Sequence, residues 1–304
     1  MRCCCEAALL KGTAFFNFWL STQPYKLLRR RSQLLTDYHT HTERGPYTVS
    51  WLEEFLKVAK SRGIEEYGVS EHAYRFKQTA HLLDNPWTRE RRTEDMDEYM
   101  SMIMKARNEG HNVKFGIELD YIPGREKGLE QFIKDYPFDY VIGSVHWLGD
   151  FGFDLLEMKD QWNGRDLKAT YDEYFGILSR MVETELFDFV GHADVIKVFG
   201  HIPDDEAFLE DWYQRLSELF AKHHAVVEVS TAGLRKPVGK MYPAPKLLQA
   251  CCERNVPIVI NSDAHRPEDV GADYDQAVQH AANAGYDQLV VFTKHERQFY
   301  PITK

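Results

Sequence analysis

Cysteine is scarce in this 304-residue chain: five in all, Cys3, Cys4, Cys5, Cys251 and Cys252. An odd count in two adjacent clusters is no disulfide framework for a chain of this size. A reducing compartment, the cytoplasm, is therefore the expectation. The Cys3–Cys5 run has no second Cys/His cluster beside it, so it is not read as a metal or lipid site. Long apolar runs are also missing, and none approaches the ~20 residues of a membrane span. Basic residues are outnumbered, with 37 Lys plus Arg against 47 Asp plus Glu and a net charge of −10. Such a chain repels a phosphate backbone at long range, which argues against tight non-specific nucleic-acid binding. There is no internal repeat, low-complexity tract or obvious linker. Wholesale disorder is excluded by an apolar fraction of 43% and a charged fraction of 28%.

What is present begins with a contrast in composition. Residues 1–33 carry the Cys triplet, the run Phe15–Leu20 and then Arg29-Arg30-Arg31. A secretory signal would put its positive charge before the apolar stretch, and here the order is reversed. The segment is expected to be an atypical, poorly ordered extension, and residues 34–304 a single domain. From Leu34 onward β-rich runs alternate with amphipathic stretches. The runs fall near 34–39, 67–70, 114–119, 140–145, 189–190, 226–230, 257–261 and 288–292. The amphipathic stretches fall near 51–61, 94–109, 171–184, 206–223, 245–253 and 274–284. Ser50 followed by Glu53 reads as a capping box for the first of these. Strand–helix alternation means parallel strands with right-handed crossovers, and seven or eight units match the size of a β/α barrel. An open doubly wound sheet is the alternative. It is weakened because no GxGxxG or Walker fingerprint follows the first run.

The remaining feature is an excess of histidine, 13 in all. The first run ends in Asp37-Tyr38-His39-Thr40-His41, and in an extended chain residues i and i+2 face the same way. Chance alone supplies roughly half an HxH pair at this His content. The ends of the other runs carry more weight. They finish in Glu71-His72, in Glu118 then Asp120, in Gly143-Ser144-Val145-His146, in Gly191-His192-Ala193-Asp194, and in Ser262-Asp263-Ala264-His265. A lone His at a strand end is commonly a cap or a surface residue, and His81, His111, His201, His223, His224, His280 and His295 are read that way. Six strands ending together in His, Asp or Glu is a different matter, because a β/α barrel gathers those ends on one face. Imidazoles and carboxylates without thiolates suit Zn, Mn or Fe. So many ligands exceed one tetrahedral ion, so two or three divalent ions bridged by a carboxylate are expected.

The ordered set HxH, EH, Glu, GSxH, GHxD, SDxH resembles the PHP superfamily (polymerase and histidinol phosphatase), from Asp37 to the end of the chain. The stretch from Glu228 through Ser230-Thr231-Ala232-Gly233-Leu234-Arg235-Lys236, with Tyr242-Pro243 following, is similar to its monofunctional histidinol-phosphatase branch. The resemblance implies a distorted (β/α)7 barrel with a trinuclear centre at the C-terminal ends of its strands. It implies one metal on His39, His41, Glu118 and Asp263; a second on Glu118, His146 and His192; and a third on His72 and His265. The family often has a further His or Asp where this chain has Tyr47, which leaves the third ion to Glu43 or to weak binding. Coordination lowers the pKa of water towards neutrality and so supplies the nucleophile for phosphate-ester hydrolysis. Arg235, which follows a strand on the same face, is the expected phosphate clamp, with Lys236 and Arg44 as weaker candidates. Asp263 or His265 is expected to assist the departing alkoxide. The expected activity is that of a cytoplasmic phosphomonoesterase acting on a small molecule, L-histidinol phosphate, in histidine biosynthesis. The alternatives are another PHP phosphoesterase and a non-catalytic metal-binding module.

Overall fold

The computed structural model describes residues 35–302. The expected extension at residues 1–33 lies outside the described residues. In chain order the main elements are β1 (Leu35–Asp37), α1 (Val49–Ser61), β2 (Ile64–His72), α2 (Pro86–Arg91), α3 (Met96–Asn108), β3 (Val113–Asp120), α4 (Glu126–Asp135) and β4 (Tyr140–Ser144). The short strands β5 (Trp147–Leu148) and β6 (Phe151–Gly152) follow, then α5 (Leu167–Glu183), β7 (Phe189–Val190), α6 (Glu206–Lys222), β8 (Val227–Ser230), α7 (Pro245–Glu253), β9 (Ile258–Asn261), α8 (Tyr274–Ala284), β10 (Gln288–Thr293) and β11 (Glu296–Pro301).

Seven strands form one parallel sheet in the order β1-β2-β3-β4-β7-β8-β9. The ring is drawn shut between its first and last strands. His41 N–H donates to Ala264 O at 2.7 Å, Ala264 N–H to His39 O at 3.2 Å, and the Thr36 hydroxyl to Ile260 O at 3.2 Å. This is the expected barrel, and the count is seven. The eighth β-rich run is not part of it: β10 pairs antiparallel with β11 in a separate hairpin. Phe292 of that hairpin packs on Tyr38 and Phe189, with ring centroids 6.1 and 5.6 Å away. The run reads as a strand because it is apolar and β-branched, but its partner is the chain immediately downstream.

Helix starts are fixed by side chains that accept orphan backbone N–H groups. Thr48 caps α1 by accepting from Trp51 N, so the cap lies two residues before the Ser50 expected from sequence. Asp166 and Asp205 cap α5 and α6 in the same way. Two helices escape the periodicity pattern. In α2 six residues start at Pro86 behind an Asn85–Thr88 capping box. In α4 the apolar stripe is Leu129, Phe132 and Ile133 alone, barely more than one turn of a ten-residue helix.

The barrel interior is set by one tyrosine against two glycines. A Cβ on Gly116 would meet the Tyr140 ring at 2.2 Å, and one on Gly68 would meet the Tyr140 hydroxyl at 2.4 Å. The ring fills that space, and its hydroxyl donates to Tyr38 O at 2.5 Å. Among the described residues no helix is long and apolar enough to cross a membrane.

Candidate metal centre

The parallel register builds the site. His72 and Glu118 are direct partners across β2 and β3, and His72 Nδ1 lies 2.7 Å from Glu118 Oε2. Asp120 points the same way two residues further on. It pairs in register with Ser144, and His146, two residues beyond Ser144, places Nδ1 2.8 Å from Asp120 Oδ1. His39 and His41 leave β1 together. His192 follows β7, and Asp263 follows β9.

Five of the imidazoles converge on Glu118. Its Oε1 lies 3.3 Å from His39 Nε2, 3.6 Å from His146 Nε2 and 3.2 Å from His192 Nε2. Its Oε2 faces His41 Nε2 at 3.7 Å. Asp263 Oδ1 stands 3.4 Å from His41 Nε2 and 3.5 Å from His265 Nδ1. The imidazoles meet nitrogen to nitrogen, at 3.3 Å for His146 with His192 and 3.3 Å for His72 with His265. Two of the backbones sit in the left-handed region, His192 at φ 23° and Asp263 at φ 51°. A non-glycine residue there costs on the order of 1 kcal/mol, a strain typical of functional positions.

Burial and charge set the protonation states. Burial pushes the Glu118 and Asp263 carboxyls up, but the surrounding imidazoles, His39 first, outweigh it and hold both well below the usual carboxylate range. Burial, reinforced by His72 and His265, holds His41 well below the usual imidazole range, so its ring is neutral. Burial pulls His39, His72 and His146 down, but the carboxylates beside them, Glu228 for His39 and Glu118 for the other two, outweigh it and hold all three above the usual imidazole range, so metal binding would displace their protons to give the ligating forms, neutral imidazole and ionised carboxylate. His39 Nε2, both nitrogens of His41 and Glu118 Oε2 are buried without a hydrogen-bond partner. Three triads present ligand atoms within 4.8 Å of one another and could each hold an ion: His39/His41/Asp263, His39/Glu118/His192 and His41/His72/His265. This donor set suits divalent metal.

All eight ligands expected from sequence are therefore brought together. Tyr47 is not among them, since its hydroxyl donates to Glu94. Glu43 faces the third triad, with Oε1 4.0 Å from His265 Nε2. Of the phosphate candidates, Arg44, Arg235 and Lys236 all line the cavity of about 660 Å³ over the cluster. Arg235 is partly committed: its guanidinium donates to Ser262 O and to Thr231 Oγ1, with Asp269 Oδ1 3.7 Å away. It therefore also braces the turn that carries Asp263.

Several residues around the cluster were given no role in the sequence reading. Glu228 is fully buried and holds His39 Nδ1 at 2.8 Å, His192 N at 2.7 Å and Asn261 Nδ2 at 2.8 Å. Asp120 does the same for His146. Such carboxylates fix the ring orientation and tautomer of a ligand His. Asp37 accepts from Ser262 N at 2.9 Å and Gly271 N at 3.0 Å, which positions the Asp263 turn. Arg266, beside His265, is a further cation at the cavity. Asp194 of the GHxD stretch turns away, holding Lys197 Nζ at 2.6 Å and Ala244 N at 2.7 Å. Spacing gave a signal only for Asp120, on the same strand face as Glu118.

Fold and site define a seven-stranded β/α-barrel metalloprotein with its ligands at the strand ends. The chain belongs to the PHP domain family, whose model matches residues 37–232. It is 34% identical over 267 residues to a Deinococcus radiodurans protein named "Probable histidinol-phosphatase", covering 87% of this chain and 98% of that one. It is 25% identical to the histidinol-phosphatase of Bacillus subtilis, covering 79% of this chain and 96% of the relative. In structure it is similar to histidinol phosphate phosphatase from Lactococcus lactis subsp. lactis Il1403, crystallised with Zn, L-histidinol and phosphate. That match has TM-score 0.68 and 19% identity, covering 88% of this chain and 98% of the other.

Proposed function

We propose that this chain is a metal-dependent phosphomonoesterase that converts L-histidinol phosphate and water to L-histidinol and phosphate, a step of histidine biosynthesis in the cytoplasm. One observation carries the catalytic part: five imidazoles surround the buried Glu118 carboxylate at 2.7–3.7 Å, at the base of an open cavity. The substrate follows from the relatives named for that activity.

His39, His41, Glu118 and Asp263 would hold one divalent ion, Glu118, His146 and His192 a second, and His72 with His265 a third, beside Glu43. Bound ions, Zn, Mn or Fe, would lower the pKa of water and neutralise phosphate charge. The rest falls to the chain. Arg44, Lys236 and Arg266 bring positive charge to the cavity, and Arg44 helps to hold the Glu43 carboxyl below its ordinary range. Arg235 completes that set from a braced position. A guanidinium can hold two phosphate oxygens at once and stabilise the charge of the transition state. Asp263 or His265, 3.5 Å apart, would assist the departing alkoxide, the ionised Asp263 as a partner of the imidazole and not as a proton donor.

The test is phosphate release by metal-reconstituted protein from a panel of phosphomonoesters. L-Histidinol phosphate is expected to exceed sugar phosphates and nucleotides in kcat/KM by about 100-fold, since a site built for polar groups rejects analogues lacking them. Equal turnover across the panel would mean a different phosphoesterase. No release from fully loaded protein would mean a non-catalytic metal-binding module.

A further inference from the structure

The third triad differs from the other two in its donors. His39/His41/Asp263 and His39/Glu118/His192 each include a carboxylate, whereas His41/His72/His265 is three imidazoles. Glu118 meets His72 at Nδ1, while the Nε2 of that ring meets His265. A divalent ion on three neutral rings keeps its whole charge, so it gains from a carboxylate of its own. Glu43 is the carboxylate placed to supply it. Its Oε1 lies 4.0 Å from His265 Nε2, and its Oε2 lies 3.4 Å from Arg75 Nε. One oxygen thus faces the triad while the other is held.

Arg75 is itself held. Its Nε donates to Glu94 Oε1 at 2.7 Å, and its Nη2 donates to the same oxygen. Glu94 Oε2 accepts from the Tyr47 hydroxyl. Glu43, Arg75, Glu94 and Tyr47 therefore form one relay of partly buried side chains, in which Glu94 balances the guanidinium charge. Its backbone is fixed at both ends. Glu94 N–H donates to Arg75 O at 3.1 Å, and Lys77 N–H to Glu94 O at 3.0 Å. The Tyr47 ring packs on Phe76 and Tyr99, with centroids 6.2 and 5.5 Å away. On the Glu43 side, the Thr42 N–H and hydroxyl both donate to the buried Glu71 at 2.6 Å, and Trp51 Nε1–H donates to Thr42 O at 2.8 Å. Gly45 lies so close to the Trp51 indole that a Cβ there would meet the ring at 2.5 Å. These ties fix the loop from which Glu43 projects.

We infer that Arg75, Glu94 and Tyr47 are positioning residues for the third ion: they hold Glu43 so that its Oε1 completes the His41/His72/His265 triad. Tyr47 is no ligand, yet it acts on the same ion through Glu94 and Arg75. The inference rests on the three-ion proposal and is independent of which phosphate ester is cleaved.

The experiment counts the ions retained per chain as Zn-loaded full-length protein is equilibrated against buffered free Zn, in wild type, Glu43→Gln, Arg75→Lys and Tyr47→Phe. Wild type is expected to hold three ions. The third should dissociate at about 100-fold higher free Zn in Glu43→Gln, and at about 10-fold higher in Arg75→Lys and Tyr47→Phe, with the other two unmoved. Arg75→Lys keeps the charge but loses the fork that spans two carboxylates, and Tyr47→Phe keeps the ring packing. Phosphate release should fall with the occupancy of the third ion and recover at high free Zn, which a misfolded variant would not do. Two ions in wild type, third-ion binding that is unaltered or tighter in the variants, or equal weakening of all three ions overturns the inference. So does a raised KM in Arg75→Lys with metal binding unchanged, which would make Arg75 a substrate contact. Graded loss of the third ion in a protein that releases no phosphate from L-histidinol phosphate overturns the substrate proposal and supports the inference.

Discussion

Glu118 has two oxygens and five imidazole neighbours, and most of what this site can do follows from that crowding. Each ring must present the correct nitrogen. His39 Nδ1 is held by Glu228 and His146 Nδ1 by Asp120, which leaves both Nε2 atoms facing Glu118. Glu228→Gln keeps the shape but puts an amide donor in place of one of the two oxygens that together accept from three N–H groups. Metal affinity or kcat is expected to fall by about 10–100-fold, read by metal titration and phosphate release. Unchanged metal affinity and rate would mean that the His39 ring is oriented by something else. The eight proposed ligands were legible because each sits at or just past the end of a short apolar run, a purely local signal. Glu228 was not, because what marks it is contact with a histidine 189 residues away.

At the level of elements, strands proved easier to read than helices, and their pairing was hardest. The parallel strands are buried on both sides and so appear as continuous apolar runs bounded by turns. The β10 run has the same appearance yet pairs with β11, since composition records burial and not the partner. Gly116, central in β3, illustrates a constraint that sequence shows only as a weak strand residue. Gly116→Ala would drive a methyl group into the Tyr140 ring, and a loss of about 2–3 kcal/mol of stability is expected by denaturant unfolding. A loss within error would mean that the Tyr140 ring can shift. The β10–β11 hairpin is tied down at its turn, where His295 Nδ1 lies 2.8 Å from Asp188 Oδ2 and its N–H donates to Asp139 O at 2.8 Å. The Asp188 hydrogen bond holds the imidazole above its ordinary range. A raised folded-state pKa stabilises fully below the unfolded value of about 6.5 and is lost as pH rises through the folded one. His295→Asn, which suits the left-handed turn at φ 66°, should therefore lower Tm at pH 6 and converge on wild type at high pH. The effect is small and salt-screened, because the His295 side chain is nearly half exposed. A Tm gap that widens with pH would reverse the assignment.

Across the whole molecule, the barrel solves one problem: it brings residues between His39 and His265, scattered over most of the chain, to within a few ångströms of one carboxylate. Closure between β1 and β9 sets His41 beside Asp263, and neighbouring register sets His72 beside Glu118. The order of strand-end residues was enough to expect the architecture, because a parallel barrel leaves those ends one face to share. The outer wall of the cavity includes Tyr74, Trp87 and Trp147, which lie outside that scheme. The central claim is that Glu118 binds the metals together and that catalysis needs them. The most direct check is metal content and phosphate release from L-histidinol phosphate for purified wild type and Glu118→Gln, with folding verified by circular dichroism. Wild type should carry two or three divalent ions per chain and turn over. Glu118→Gln should stay folded, lose most of its metal and fall at least about 1,000-fold in kcat, as expected when the group that organises the catalytic charges is removed. A folded Glu118→Gln protein with wild-type metal content and wild-type rate would contradict the claim.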